Sequence, residues 1–227
     1  SIRRESPQDA WVANIVSRLL EAELTDKADQ LDRLRVLSLC RSQISRIKEL
    51  EHRVTAHIIA GLAATDRDIR WEHVQLLAEY NVASSISQLL DLLETERDYV
   101  TQFHIAQSLS RIRSGWNAAT ESRIMRWLVT NQTGWFAEFD DKGRKFPLFR
   151  LAMLGRLVEG HANALARNLD RLIPGSQLSS LAYGEVATTE VGRRQLFEIH
   201  KNTDDAQVRR EILKGFSQHI LEPKYWP

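Results

Sequence analysis

The sequence predicts an all-α chain organised as a degenerate HEAT-like helical-pair solenoid, a right-handed superhelix of antiparallel helix pairs. Three observations predict it. Only 10 Gly and 5 Pro punctuate the 227 residues. Apolar residues recur at spacings of three and four, without the period-two alternation of a strand. An acid-rich cap followed by an amphipathic helix recurs at "TDRD" (65–68), "TERD" (95–98) and "NTDDAQVRREILKGF" (202–216). The spacing is irregular and no strict consensus repeats, which makes the repeat degenerate. An irregular helical bundle is the runner-up.

The elements follow in order. "SPQDAWVANIVSRLLEAEL" opens with Ser6 as a cap and Pro7 at the first helical position, where a missing N–H costs nothing. Its expected apolar stripe is Trp11, Ile15, Leu19 and Ala22. "KADQLDRLRVLSLCRSQ" carries Leu31, Leu34 and Leu37. "ISRIKELEHRVTAHIIAGLAA" carries Ile44, Ile47, Leu50, Val54, Ile58 and Leu62 as one long helix. Helices follow near 68–80, 83–94, 98–113 and 118–130. Asp66 or Thr95 can accept the free N–H groups at a helix start, and the acids suit the positive end of the helix dipole.

The regularity breaks at "TNQTGWFAEFDDKGRKFPLF" (130–149), where Gly134, Gly143 and Pro147 mark turns. Trp135, Phe136, Phe139, Phe146 and Phe149 lie inside it. Such an insertion is a binding loop or a cap whose aromatics plug the end of a core, and capping is favoured. Helices resume with "LFRLAMLGRLVEG", "HANALARNLDRLI", "SQLSSLAYGEVA" and "VGRRQLFEIHKN". The expected organisation is helical pairs over 1–130, an aromatic loop or cap over 131–147, further pairs of the same domain over 148–222, and a tail over 223–227.

Composition bounds the function. Hydrophobic residues make up 43%, enough for a sizeable core. A net charge of +1 gives no global pull toward nucleic acid or anionic membranes. The one cysteine, Cys40, lies in the apolar run "LRVLSLC" and reads as a buried structural thiol. No apolar stretch approaches the roughly 18 residues of a membrane span. The start lacks a signal-peptide core, so a cytosolic chain is expected, or a mature or excised piece of a longer one.

No catalytic constellation stands out. The histidines at 52, 57, 73, 104, 161, 200 and 219 form no zinc-binding pair on one helix turn. No nucleophile elbow or phosphate-cradling glycine loop occurs. No metal and no cofactor are therefore expected.

The segment "VTQFHIAQSLSRIRSGW" (100–116) is the most distinctive. Ile105, Leu109, Ile112 and Trp116 share one helical face, and His104, Ser108 and Arg111 gather beside it. Two readings compete. His104 and Arg111 bond to neighbouring helices and fix their register, or they line a groove that meets a partner. Gln102, His104 and Arg111, with Trp135 and Phe139 of the aromatic segment, are the candidate binding residues. Gly115 suits the left-handed conformation that ends a helix, and Trp116 is expected as a buried anchor against Ile112 and Leu109.

Residues 30–160 also resemble the HEAT-like helical domain of large secreted proteins of planctomycete-type bacteria. In those proteins the domain links a sugar-dehydrogenase-like propeller to a haem-binding c-type cytochrome domain. The resemblance rests on Gln102, Phe103, His104, Leu109, Arg111, Gly115 and Trp116, with Trp127 near the family's next aromatic. Glu121 lies farther behind Gly-Trp than the family's acid. The haem-attaching Cys-x-x-Cys-His and the propeller are absent, so redox activity does not carry over. What the resemblance implies is a helical spacer and docking module, periplasmic or secreted; without it, the expectation is cytoplasmic.

The leading expectation is a non-catalytic scaffold that docks a protein partner or an adjacent domain. An enzyme or nucleic-acid-binding protein on a helical solenoid, such as a DNA-base glycosylase or a lyase, is the alternative. The near-neutral charge argues against nucleic acid. A small-ligand module is third and would need one deep apolar pocket with convergent polar groups.

Overall fold

The computed structural model describes residues 7–131, 146–174 and 176–219. The chain divides into two compact units, Ser1–Gly115 and Trp116–Pro227. The division falls within the 1–130 segment that periodicity alone joins. Every regular element among the described residues is helical.

The first unit holds α1 (Pro7–Glu21), α2 (Lys27–Leu39), α3 (Arg41–Ile44), α4 (Lys48–Ala60), α5 (Arg67–Glu79), α6 (Ile86–Thr95) and α7 (Tyr99–Leu109). Helix α5 is central and packs on α2, α4 and α7; α6 packs on α7, and α1 on α3 and α4. Leu34 and Leu37 of α2, Val54 and Ile58 of α4, Leu76 and Leu77 of α5, and Leu89, Leu90 and Leu93 of α6 are sealed from solvent. Full burial of each such side chain is worth about 1.5–3 kcal/mol.

Several expectations are corrected here. In α1 the buried positions are Val12 and Val16, while Trp11 is 66% exposed. Helix α1 offers two overlapping stripes, and the smaller β-branched one faces the core. The long helix expected over 44–64 breaks at residues 45–47, and its last turn tightens to a 3₁₀ turn at Gly61–Ala63. Cys40 is half-buried rather than enclosed. Asp66 does cap α5, accepting from the Asp68 and Ile69 amides. At the next junction Asp98, not Thr95, caps α7 through the Thr101 amide. Thr95 instead turns its hydroxyl back to the Asp91 carbonyl at 2.8 Å and ends α6. The expected Ser6 cap lies outside the described residues.

A second pattern recurs in this unit. The carbonyl end of a helix, left open by the i→i−4 ladder, is closed by a side chain from another element. Arg33 of α2 donates to the Leu19 and Ala22 carbonyls at the end of α1, at 3.4 and 3.2 Å. The Tyr80 hydroxyl donates to the Leu37 carbonyl of α2 at 2.7 Å. Arg41 of α3 donates to the Glu79 carbonyl at the end of α5.

The second unit holds α8 (Ala118–Thr130), α9 (Phe146–Gly160), α10 (Ala162–Ala166), α11 (Gln177–Val186), α12 (Glu190–Asn202) and α13 (Ala206–His219). A full capping box between Asn117 and Thr120 starts α8. Alternate helices pack: α8 on α10 and α10 on α12, α9 on α11 and α11 on α13. Successive helices from α9 to α13 also touch. The core is built from Ile124, Met125, Met153, Leu154, Leu157, Leu165, Leu178, Val186, Leu196 and Ile212. The helix expected over 161–173 is only α10 followed by a 3₁₀ turn at Leu169–Arg171. The 131–147 cap falls outside the described residues but for Asn131 and the start of α9, and the 223–227 tail lies wholly outside them.

Candidate functional site

Helix α7 carries Gln102 and His104, and Arg111 follows just after its end; the three predicted site residues do three different things. Gln102 is buried, and its amide donates to the Glu96 carbonyl at 2.6 Å, closing the turn before α7. His104 is half-buried, and its Nε2 lies 2.9 Å from the Trp71 carbonyl of α5. Its ring stacks on the Trp71 indole, centroids 5.0 Å apart and planes 15° apart. Burial lowers the His104 pKa, and the Trp71 carbonyl only partly offsets this. A neutral imidazole donating to that carbonyl sets the register of α7 on α5. Arg111 is exposed beyond the end of α7, so its guanidinium is not the buried tie between helices that its sequence position suggested.

Trp71 is the centre of a wider cluster. The Arg67 guanidinium lies over its ring, 4.9 Å from the centroid. Its indole N–H donates to the Thr101 hydroxyl at 3.3 Å, and that hydroxyl donates to Asp98 at 2.7 Å. The indole is thus held by a cation, an imidazole and a hydroxyl.

Gly115 takes the left-handed conformation, with φ +85. It does not cap α7, which stops at Leu109. Its role is close approach: a Cβ there would sit 2.3 Å from the Ala83 Cβ. Beside it, the Asn81 side chain accepts from the Arg113 amide at 2.7 Å and donates to the Ser114 hydroxyl at 2.8 Å. Trp116 is half-buried rather than enclosed. Its ring meets the His161 ring edge-on, centroids 4.3 Å apart. His161 is 7% exposed and its Nδ1 lies 3.5 Å from a Glu121 oxygen. Burial lowers the His161 pKa, and Glu121 opposes this.

No family model, curated protein or solved structure matches this chain. The site is therefore read from its own geometry. Trp135 and Phe139 lie outside the described residues. Among the described residues no group of three His, Cys, Asp or Glu side chains is placed to hold a metal ion. None of the described helices is long and apolar enough to cross a membrane. Two shallow grooves are lined by described residues. One of 510 Å³ lies between α4 and α6, walled by Ile59, Leu62 and Leu92 with Gln88, Asp91 and Thr95. The other, of 360 Å³, lies between α10 and α12, along Arg167, Asp170, Arg194 and Glu198.

One cluster escaped the sequence reading. His57 of α4 and His73 of α5 face each other with ring centroids 5.8 Å apart. His73 is 4% exposed. Its position on the stripe of Ile69, Leu76 and Leu77 was the available signal. The His57 Nε2, the His73 Nδ1 and the Arg33 Nε are all buried without a hydrogen-bond partner. Burial lowers the His57 pKa, with Arg33 adding to it. Burial and then His57 push His73 down to about 4.

Proposed function

We propose that the chain is a non-catalytic HEAT-like module, with antiparallel helix pairs stacked within each unit, that docks a protein partner or a neighbouring domain. The observation that carries the reading is where the polar side chains are spent. His104, Gln102, Tyr80, Arg33 and Arg41 all bond to backbone carbonyls at helix ends or of adjacent helices. In the second unit Arg193 donates to the Ala187 and Thr188 carbonyls at 3.1 Å each, and the Ser179 hydroxyl donates to Glu211 of α13 at 2.9 Å. These groups hold one helix against the next, which is the task of a spacer. The packing of alternate helices fits stacked pairs. The resemblance of residues 30–160 to a domain that joins two larger domains supports the same reading.

The test is binding of the purified chain to the protein domains encoded in the same reading frame or in adjacent genes, by calorimetry. A saturable complex that tolerates salt is expected. Binding to duplex DNA that weakens steeply with salt, or binding to none of these domains, would overturn the proposal.

A further inference from the structure

Histidines 57 and 73 play no part in the register bond at Trp71, and His73 bonds to the Ile58 backbone in the last turn of α4. His73 is buried and His57 half-buried beside it. We infer that the junction of α2, α4 and α5 is an acid-sensitive latch, closed while His57 and His73 are neutral and opened when they take up protons. The geometry carries this in three steps.

First, the pair has no anion to meet. Arg33 of α2 is the charged group acting on both rings. The other charged groups on α2, α4 and α5 are engaged elsewhere or exposed. Arg53 of α4 turns to Ser17 and Glu21 of α1. Glu51 and Glu79 act on Tyr80. Arg70 of α5 faces Glu96, and Glu72 acts on His104 of α7. On α2, Lys27 pairs with Asp66 and Asp68, and Asp32 with Arg35. Lys48, Glu49 and His52 of α4 are exposed. Protons added here give cations beside a cation; the Ile58 backbone bond to His73 offsets this only in part, and a buried charge without a counter-ion is strongly destabilising.

Second, the His73 ring cannot turn out to water. His73 is wedged on Gly61, where an added Cβ would meet its ring at 2.0 Å. Gly61 directly follows α4 and His73 is on α5, so a charged ring reaches solvent only if α4 and α5 part.

Third, the sign is fixed. Both histidines bind protons less readily folded than unfolded. The stability they confer is complete above the ordinary histidine pKa of about 6.5. It falls as the pH drops from there toward 4, the value to which His73 is held. The same junction holds the Arg33 bonds that close the end of α1, so opening it also frees α1.

The experiment is amide hydrogen exchange on the full chain from pH 7 to 4, with the imidazole Cε1–H resonances followed over the same range. Protection in α4 and α5 should fall at least tenfold more than in α11 and α13. In His73→Gln the loss should move at least one pH unit lower. If His73→Gln does not fold, His57→Gln gives the same comparison. Uniform protection loss, an unmoved window in the variant that folds, or a His73 resonance titrating near 6.5 overturns the latch.

Discussion

Replacing Gly115 by Ala is the sharpest test of how the first unit closes. A left-handed backbone costs an L-residue roughly 1–2 kcal/mol. The new Cβ would lie 2.3 Å from the Ala83 Cβ and 3.0 Å from its Cα, against an ordinary carbon contact of about 3.5–4.0 Å. The 3₁₀ turn at Ala83–Ser85 must therefore move by over 1 Å, an overpacking cost of about 1–3 kcal/mol. The unfolded chain loses some freedom, which returns about 0.4–1 kcal/mol. Gly115→Ala should thus destabilise by about 2–4 kcal/mol. Urea denaturation followed by circular dichroism reads this as a midpoint lowered by roughly 1–3 M at ordinary slopes. The control is Ala83→Gly, which removes the struck atom. The double variant should be less destabilised than the two single effects added together, by at least about 1 kcal/mol of coupling. An unchanged midpoint in Gly115→Ala, or additivity in the double variant, would falsify the close-approach account.

Other outcomes follow from the same geometry. His104→Phe keeps the stack on Trp71 but loses the carbonyl bond, and should cost about 1 kcal/mol in thermal unfolding. Because burial lowers the His104 pKa, its stabilisation is present above the ordinary histidine value and declines as the pH falls below it; His104→Phe should flatten that part of the stability profile. Arg111→Ala should change stability by no more than about 0.5 kcal/mol, since the side chain is exposed; a larger loss would restore its expected structural role. Trp11→Ala should be similarly mild, whereas Leu37→Ala should cost about 2–5 kcal/mol by opening a cavity. Asp98→Ala should cost about 1 kcal/mol as a lost cap. Thr101 hydrogen bonds hold the Asp98 carboxyl below its usual pKa, so wild type should lose this contribution as the pH falls below 4, with no counterpart in the variant.

What the sequence discloses depends on the range of the interaction. Helix type and the 118–130 boundaries were legible because spacing and the Asn117 cap act within one turn. The buried face of α1 was not, because Val12 and Val16 compete with Trp11 and Ile15 on adjacent stripes. Only contact with α3 and α4 chooses between them. At the TERD junction Thr95 was the expected acceptor, but its hydroxyl turns back to Asp91 and the cap falls to Asp98. His104 was visible as a polar residue beside an apolar stripe, but its partner is a carbonyl, which no residue type announces. The facing of His57 and His73 depends on how α4 crosses α5, with Gly61 making the room. Arg111 misled for a simpler reason: α7 ends at Leu109, so the helical wheel no longer applies there.

The closing of helix ends by side chains from elsewhere fixes where the chain can change in length. Inserting one residue within α5 rotates everything after it by about 100° at 3.6 residues per turn. That displaces Tyr80 from the Leu37 carbonyl and the Glu79 carbonyl from Arg41 in a single step. An insertion among residues 23–25 breaks neither Arg33 bond, because Leu19, Ala22 and Arg33 lie outside it and the loop can bulge. The first unit should accept a glycine there and reject one between Leu76 and Leu77. Its length is measured in whole helices, and only the connections between them have slack.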